Sequence, residues 1–90
     1  MEREYWKKLT KREQLLAIAA EFTRAKVWQD NKDKEKFIMA LERALEMIDL
    51  SLEDTKWRDR LLALLRLRDE VAGFYAFKRT DDISLLYNAL

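Results

Sequence analysis

The segment Thr10-Lys11-Arg12-Glu13-Gln14-Leu15-Leu16-Ala17-Ile18 decides the class of fold. Thr10 and Glu13 stand in the spacing of a capping box, in which the threonine oxygen accepts from a free helical N–H and the glutamate reaches back to the cap residue's own N–H. Behind this start Leu15, Ile18, Phe22 and Ala25 recur at helical spacing, the amphipathic signal of a buried face. The helix is predicted to run to about Gln29. A second stripe, Leu16, Ala20, Thr23 and Val27, lies about a third of a turn away and predicts a second neighbour. Tyr5 and Leu9 share that stripe, so a start near Glu2 is the alternative.

Working outward, Asp30-Asn31-Lys32-Asp33 supplies turn and cap residues, and a second helix is expected from Lys34 to Asp49 with Phe37, Leu41, Ala44 and Ile48 on its core face. Ser51-Leu52-Glu53-Asp54 reads as the start of a third, its serine a cap and its acids suited to the positive end of the helix dipole. That third helix is predicted to continue to Arg79 as the central element. Trp57, Leu61, Leu64, Leu65, Val71, Ala72 and Tyr75 surround the middle of its apolar face, with Leu62, Leu67, Phe74 and Phe77 beside it. Gly73 either ends this helix or is tolerated at about 1 kcal/mol relative to alanine. Thr80-Asp81-Asp82 then caps a short final helix, Ile83 to Leu90, whose Ile83, Leu86, Tyr87 and Leu90 share one face.

Short connections make successive helices antiparallel. The expectation is an all-α fold: a small antiparallel up-down bundle of three main helices plus a short C-terminal helix, forming one domain over residues 1–90. The absence of proline and the single glycine agree, because little else would interrupt helix between caps.

Composition removes most chemistries. The chain has no cysteine and no histidine, so thiolate nucleophiles, disulfides, the usual general base near neutral pH and the commonest metal ligand are absent. A single glycine forbids a Gly-rich phosphate loop. The 18 basic and 17 acidic side chains nearly cancel, which gives no field of one sign to attract nucleic acid or an anionic membrane. Met1-Glu2-Arg3-Glu4-Tyr5-Trp6 has no signal-peptide core, and no apolar run approaches the roughly 18 residues of a membrane span. A cytoplasmic protein without cofactor is expected.

Glu35, Glu42, Glu46 and Asp49 lie along one face of the second helix, opposite its core stripe. Such a face is ordinarily solvated, and docking on a basic surface is the alternative. Glu46-Met47-Ile48-Asp49 is similar to the second carboxylate element of the all-α nucleotide pyrophosphatases, and that resemblance implies Mg²⁺ held by Glu42, Glu46 and Asp49 for a hydrolase. The family's first element has no proper counterpart here; only Asp30-Asn31-Lys32-Asp33 comes near, in a predicted loop. The third helix carries Lys56, Arg58, Arg60, Arg66 and Arg68, but these point all around it, so a nucleic-acid-binding regulator is a further alternative without a basic stripe to support it. Arg68 falls near the middle of the apolar face and becomes a candidate buried charge that must snorkel out or find a carboxylate.

The aromatics of Ala72-Gly73-Phe74-Tyr75-Ala76-Phe77 cluster where the third helix outruns the second. Either the final helix folds back over them, or they meet a partner chain, for which a second copy is the simplest choice. The leading expectation is a non-enzymatic protein–protein interaction module, an adaptor, small chaperone or assembly subunit. It would pair as a homodimer through Phe74, Tyr75, Phe77, Leu86, Tyr87 and Leu90.

Overall fold

Where helices of this protein start behind Thr10, Asp33 and Asp54 a side chain holds a free backbone amide, whereas the starts behind Glu2 and Arg60 have no side-chain cap. The computed structural model describes residues 2–90, apart from the side chains of Tyr87 and Ala89. Its elements are α1 (Arg3–Lys8), α2 (Lys11–Asp30), α3 (Lys34–Leu52), a 3₁₀ helix (Thr55–Arg60), α4 (Leu61–Tyr75) and a C-terminal 3₁₀ helix (Ile83–Ala89). The fold is all-α, with no strand among the described residues, and forms a small helical bundle. No helix among the described residues is long and apolar enough to cross a membrane.

The capping box at Thr10 is complete: the Glu13 amide donates to Thr10 Oγ1 at 3.1 Å and the Thr10 amide to Glu13 Oε1 at 2.9 Å. Leu9 and Thr10 are both extended, so the helical turn from Arg3 and the helix from Lys11 are separate elements. α2 and α4 end in the same way. Lys32 takes φ 57°, and the Asp33 and Lys32 amides donate back to the Trp28 and Gln29 carbonyls; Phe77 takes φ 57°, and the Lys78 and Phe77 amides donate to Gly73 and Phe74. Both are Schellman closures with a side-chain-bearing residue where glycine is usual. Gly73 lies within the last turn of α4, and a Cβ there would meet the Arg79 side chain at 3.3 Å.

The third helix departs most from the sequence reading. Ser51 is not a cap; it belongs to the last turn of α3, buried, accepting the Trp6 indole N–H at 3.0 Å and donating to the Met47 carbonyl. Asp54 caps instead, accepting from the Lys56 amide, and the chain passes through the 3₁₀ helix before α4 begins at Leu61. The break follows from Trp57, whose indole N–H is drawn to the buried amide oxygen of Gln14 on α2. α4 then ends at Tyr75, short of Arg79.

Ile18, Phe22 and Ala25 of α2, Leu41, Ala44 and Ile48 of α3, and Val71 and Phe74 of α4 are fully buried in a core that Trp6 closes at one end and Ile83 and Leu86 at the other. Among charged groups, Glu21 is tucked against this core at 4% exposure, and ion pairs with Arg24 and with Arg43 of α3 neutralise it. On the second stripe of α2, Leu16 and Val27 face solvent, because α3 and the C-terminal 3₁₀ helix pack mainly on the other side.

Candidate functional site

α4 buries Leu64, Leu67, Val71 and Phe74, three or four residues apart, and this row fixes which way the helix faces. The face is turned from the one expected. Leu61, Leu62 and Leu65 consequently point outward, at 38%, 61% and 47% exposure, and Tyr75 lies at the edge. Arg68 is not buried in the apolar face. It sits on the seam with α3, where its Nε donates to Asp49 Oδ1 at 2.7 Å and solvent reaches 40% of the side chain. That hydrogen bond, with the carboxylate's charge, raises the guanidinium's pKa further above its ordinary value. Tyr75 makes the neighbouring link, its hydroxyl donating to Glu42 Oε1 at 3.1 Å, and the same bond raises its pKa.

The expected aromatic patch divides into two parts. Phe74 and Leu86 are core residues, at 0% and 1% exposure, because the C-terminal segment folds back across α2 and α4. Arg79 stacks its guanidinium 4.4 Å from the Phe74 ring and pairs with Glu70 and Asp81. Neither Phe74 nor Leu86 is open to a partner. Tyr75, Phe77 and Leu90 remain exposed, and the Tyr87 side chain lies outside the described residues. Phe77 joins Trp28 and Phe37, with Lys32, Lys34 and Arg79, around an open cleft of about 270 Å³ between the end of α2 and the start of α3.

The carboxylates of α3 do not converge. Glu42 is engaged by Tyr75 and Asp49 by Arg68, and among the described residues no group of three acidic side chains is placed to hold a metal ion. The basic cluster of the sequence is likewise divided: Lys56 is bound to Asp54 and Arg68 to Asp49, whereas Arg58, Arg60 and Arg66 are exposed and make no ion pair among the described residues.

The chain matches no family model, no curated protein and no solved structure. The outward face of α4 must therefore be read from its own chemistry. Leucine carries no polar atom to satisfy, so a row of exposed leucines gains only by being covered. Leu85 of the C-terminal 3₁₀ helix shares a shallow depression with Ala63, Arg66, Glu70, Arg79 and Asn88, and Leu90 borders another with Trp57, Arg60, Ala63 and Leu64; neither includes Leu61, Leu62 or Leu65. Pattern reasoning missed the buried polar cluster of Gln14, Asp54, Trp57 and Trp6. The signal was present, since Gln14 stands four residues before Ile18 on the core stripe.

Proposed function

We propose that this chain is a non-enzymatic helical interaction module that self-associates through the outward face of α4 and the adjoining C-terminal segment. The observation that carries this reading is the exposure of Leu61, Leu62 and Leu65 on one helix whose opposite face already supplies the core. Leu85 and Leu90 are also exposed on the C-terminal segment, and a near-neutral chain sets up no long-range repulsion between copies. Standard interfaces bury about 800 Å² on each partner, so one short helix and its neighbour suit a reversible pair better than an obligate one. The want of histidine and cysteine and the engaged carboxylates of α3 favour binding over catalysis. We place the module in the cytoplasm.

The test is the double variant L62E/L65E. Both side chains are exposed in the single chain, so the helical circular-dichroism signal is expected to persist while concentration-dependent association in sedimentation velocity is lost. Association equal to that of the wild type would refute the assignment of this face.

A further inference from the structure

Lys32 and Phe77, the side-chain-bearing residues held at positive φ among those described, line the same cleft between the end of α2 and the start of α3. A left-handed position is ordinarily given to glycine, which adopts it without steric cost. Here the two positions carry side chains that do nothing for the core, since Lys32 is exposed and Phe77 is 51% exposed. Glycine at either place would relax the backbone and take away part of the cleft wall. Backbone strain kept at a cavity points to a use for the side chains that bear it.

The walls of this cleft are aromatic and are held in place from outside it. Phe37 is buried, Trp28 half-buried and Phe77 exposed, so three rings line the space. The Phe77 and Lys78 amides donate to the Phe74 and Gly73 carbonyls, and these bonds fix the lip that carries the Phe77 ring. Arg79 is locked by its stacking on Phe74 and its pairing with Asp81 at 2.8 Å, and Lys36 holds the Trp28 ring at 4.5 Å without lining the cleft. Walls set beforehand spare a ligand much of the ordering cost of binding. An apolar cavity of about 150 Å³ takes one benzene ring. At about 270 Å³ this cleft has room for two fused rings.

The charges at the cleft select the ligand's sign. Asp33 is the acid that lines it, and its Oδ1 already accepts the Lys36 amide at 3.1 Å. Arg79 is answered by Glu70 and Asp81. Lys32 and Lys34 line the cleft and make no ion pair among the described residues, so two ammonium groups are left for an anion.

We propose that this cleft binds a small aromatic acid, one or two fused rings bearing a carboxylate. The rings lie among Trp28, Phe37 and Phe77, and the carboxylate faces Lys32 and Lys34. The site is independent of the self-association argued above, because Leu61, Leu62 and Leu65 do not line it.

Titration of the ¹⁵N-labelled chain with 2-naphthoate tests the site through the amide and indole N–H resonances. Saturable shifts are expected at the Trp28 indole and at the Lys32, Phe37 and Phe77 amides, with half-saturation at about 1 mM or below. The indoles of the buried Trp6 and Trp57 are expected to stay in place and to report an intact fold in every variant. Neutral 2-naphthamide carries the same rings and is expected to bind about threefold more weakly or worse. K32Q/K34Q is expected to abolish that preference, and F77A to weaken both compounds; all three side chains are exposed, so the core is spared. No saturable shift up to about 10 mM 2-naphthoate would overturn the site. Equal binding of the naphthamide would overturn the choice of an acid. Shifts led by the Leu62 and Leu65 amides would show adsorption elsewhere and overturn the cleft. A Trp28 indole that moves with chain concentration alone and ignores 2-naphthoate would assign the cleft to a second copy and overturn the proposal.

Discussion

Gln14 joins three parts of the chain that lie far apart in sequence. Fully buried, it donates from Nε2 to the Trp6 carbonyl at 2.9 Å and to Asp54 Oδ2 at 3.2 Å, and its Oε1 accepts the Trp57 indole N–H. α1, α2 and the 3₁₀ helix are thereby held by one amide. Partial burial pushes the Asp54 carboxyl up, but hydrogen bonds from Lys56 and Gln14 outweigh it and hold the group below its ordinary value. Gln14→Leu would keep the volume and orphan buried donors and acceptors, which cost about 1–3 kcal/mol apiece. A loss of about 3 kcal/mol is expected in urea unfolding; a change below about 1 kcal/mol would show that the cluster is readily rehydrated. Lys32 makes the opposite prediction. It is exposed and left-handed at φ 57°, a conformation that costs a non-glycine residue about 1–2 kcal/mol, of which glycine's larger unfolded-state entropy returns part. Lys32→Gly is therefore expected to stabilise by about 0.5–1 kcal/mol in the same assay.

Among the elements, the C-terminal 3₁₀ helix is fastened to α2 by a small set of polar groups. Lys26 Nζ reaches Asp82 at 2.7 Å, Gln29 Nε2 donates to the Asp81 carbonyl, and Gln29 Oε1 accepts the Ile83 amide, above the buried Ile83 and Leu86. The hydrogen bond from Lys26, joined by the Ser84 amide, lowers the Asp82 pKa from 3.8 to about 2. A depressed carboxylate stabilises fully above its unfolded value and loses that contribution as pH falls through the folded one, so the fastening weakens between about pH 4 and pH 2. Lys26 is raised by the hydrogen bonds it donates to Asp82 and Asp30, so its share is complete below the unfolded lysine value of 10.5 and lost as pH rises through the folded one. The Ile83 methyl resonances are expected to shift through the acid window, and Asp82→Asn should remove that step. Resonances indifferent to acid would contradict the fastening.

The starts of α2 and α3 were legible in sequence because Thr10, Glu13 and Asp33 act within a few residues of themselves. The division of the third helix was not, because Trp57 is drawn aside by Gln14, which stands 43 positions away. Ser51 resembled a cap through its acidic followers but is claimed by Trp6, again at long range. The facing of α4 depends on this break: Leu61 and Leu65, expected around the centre of its apolar face, point outward, and Phe74, expected beside that centre, is fully buried.

For the whole molecule, one core is closed by chain segments at both ends, and Leu61, Leu62 and Leu65 are left uncovered on the outer side of α4. We propose that a second copy covers them. Light scattering behind a sizing column, across loading concentrations from about 1 μM to about 1 mM, tests that claim most directly. Self-association makes the wild-type mass rise from that of one chain toward twice the chain mass. A mass of one chain at every concentration would contradict it.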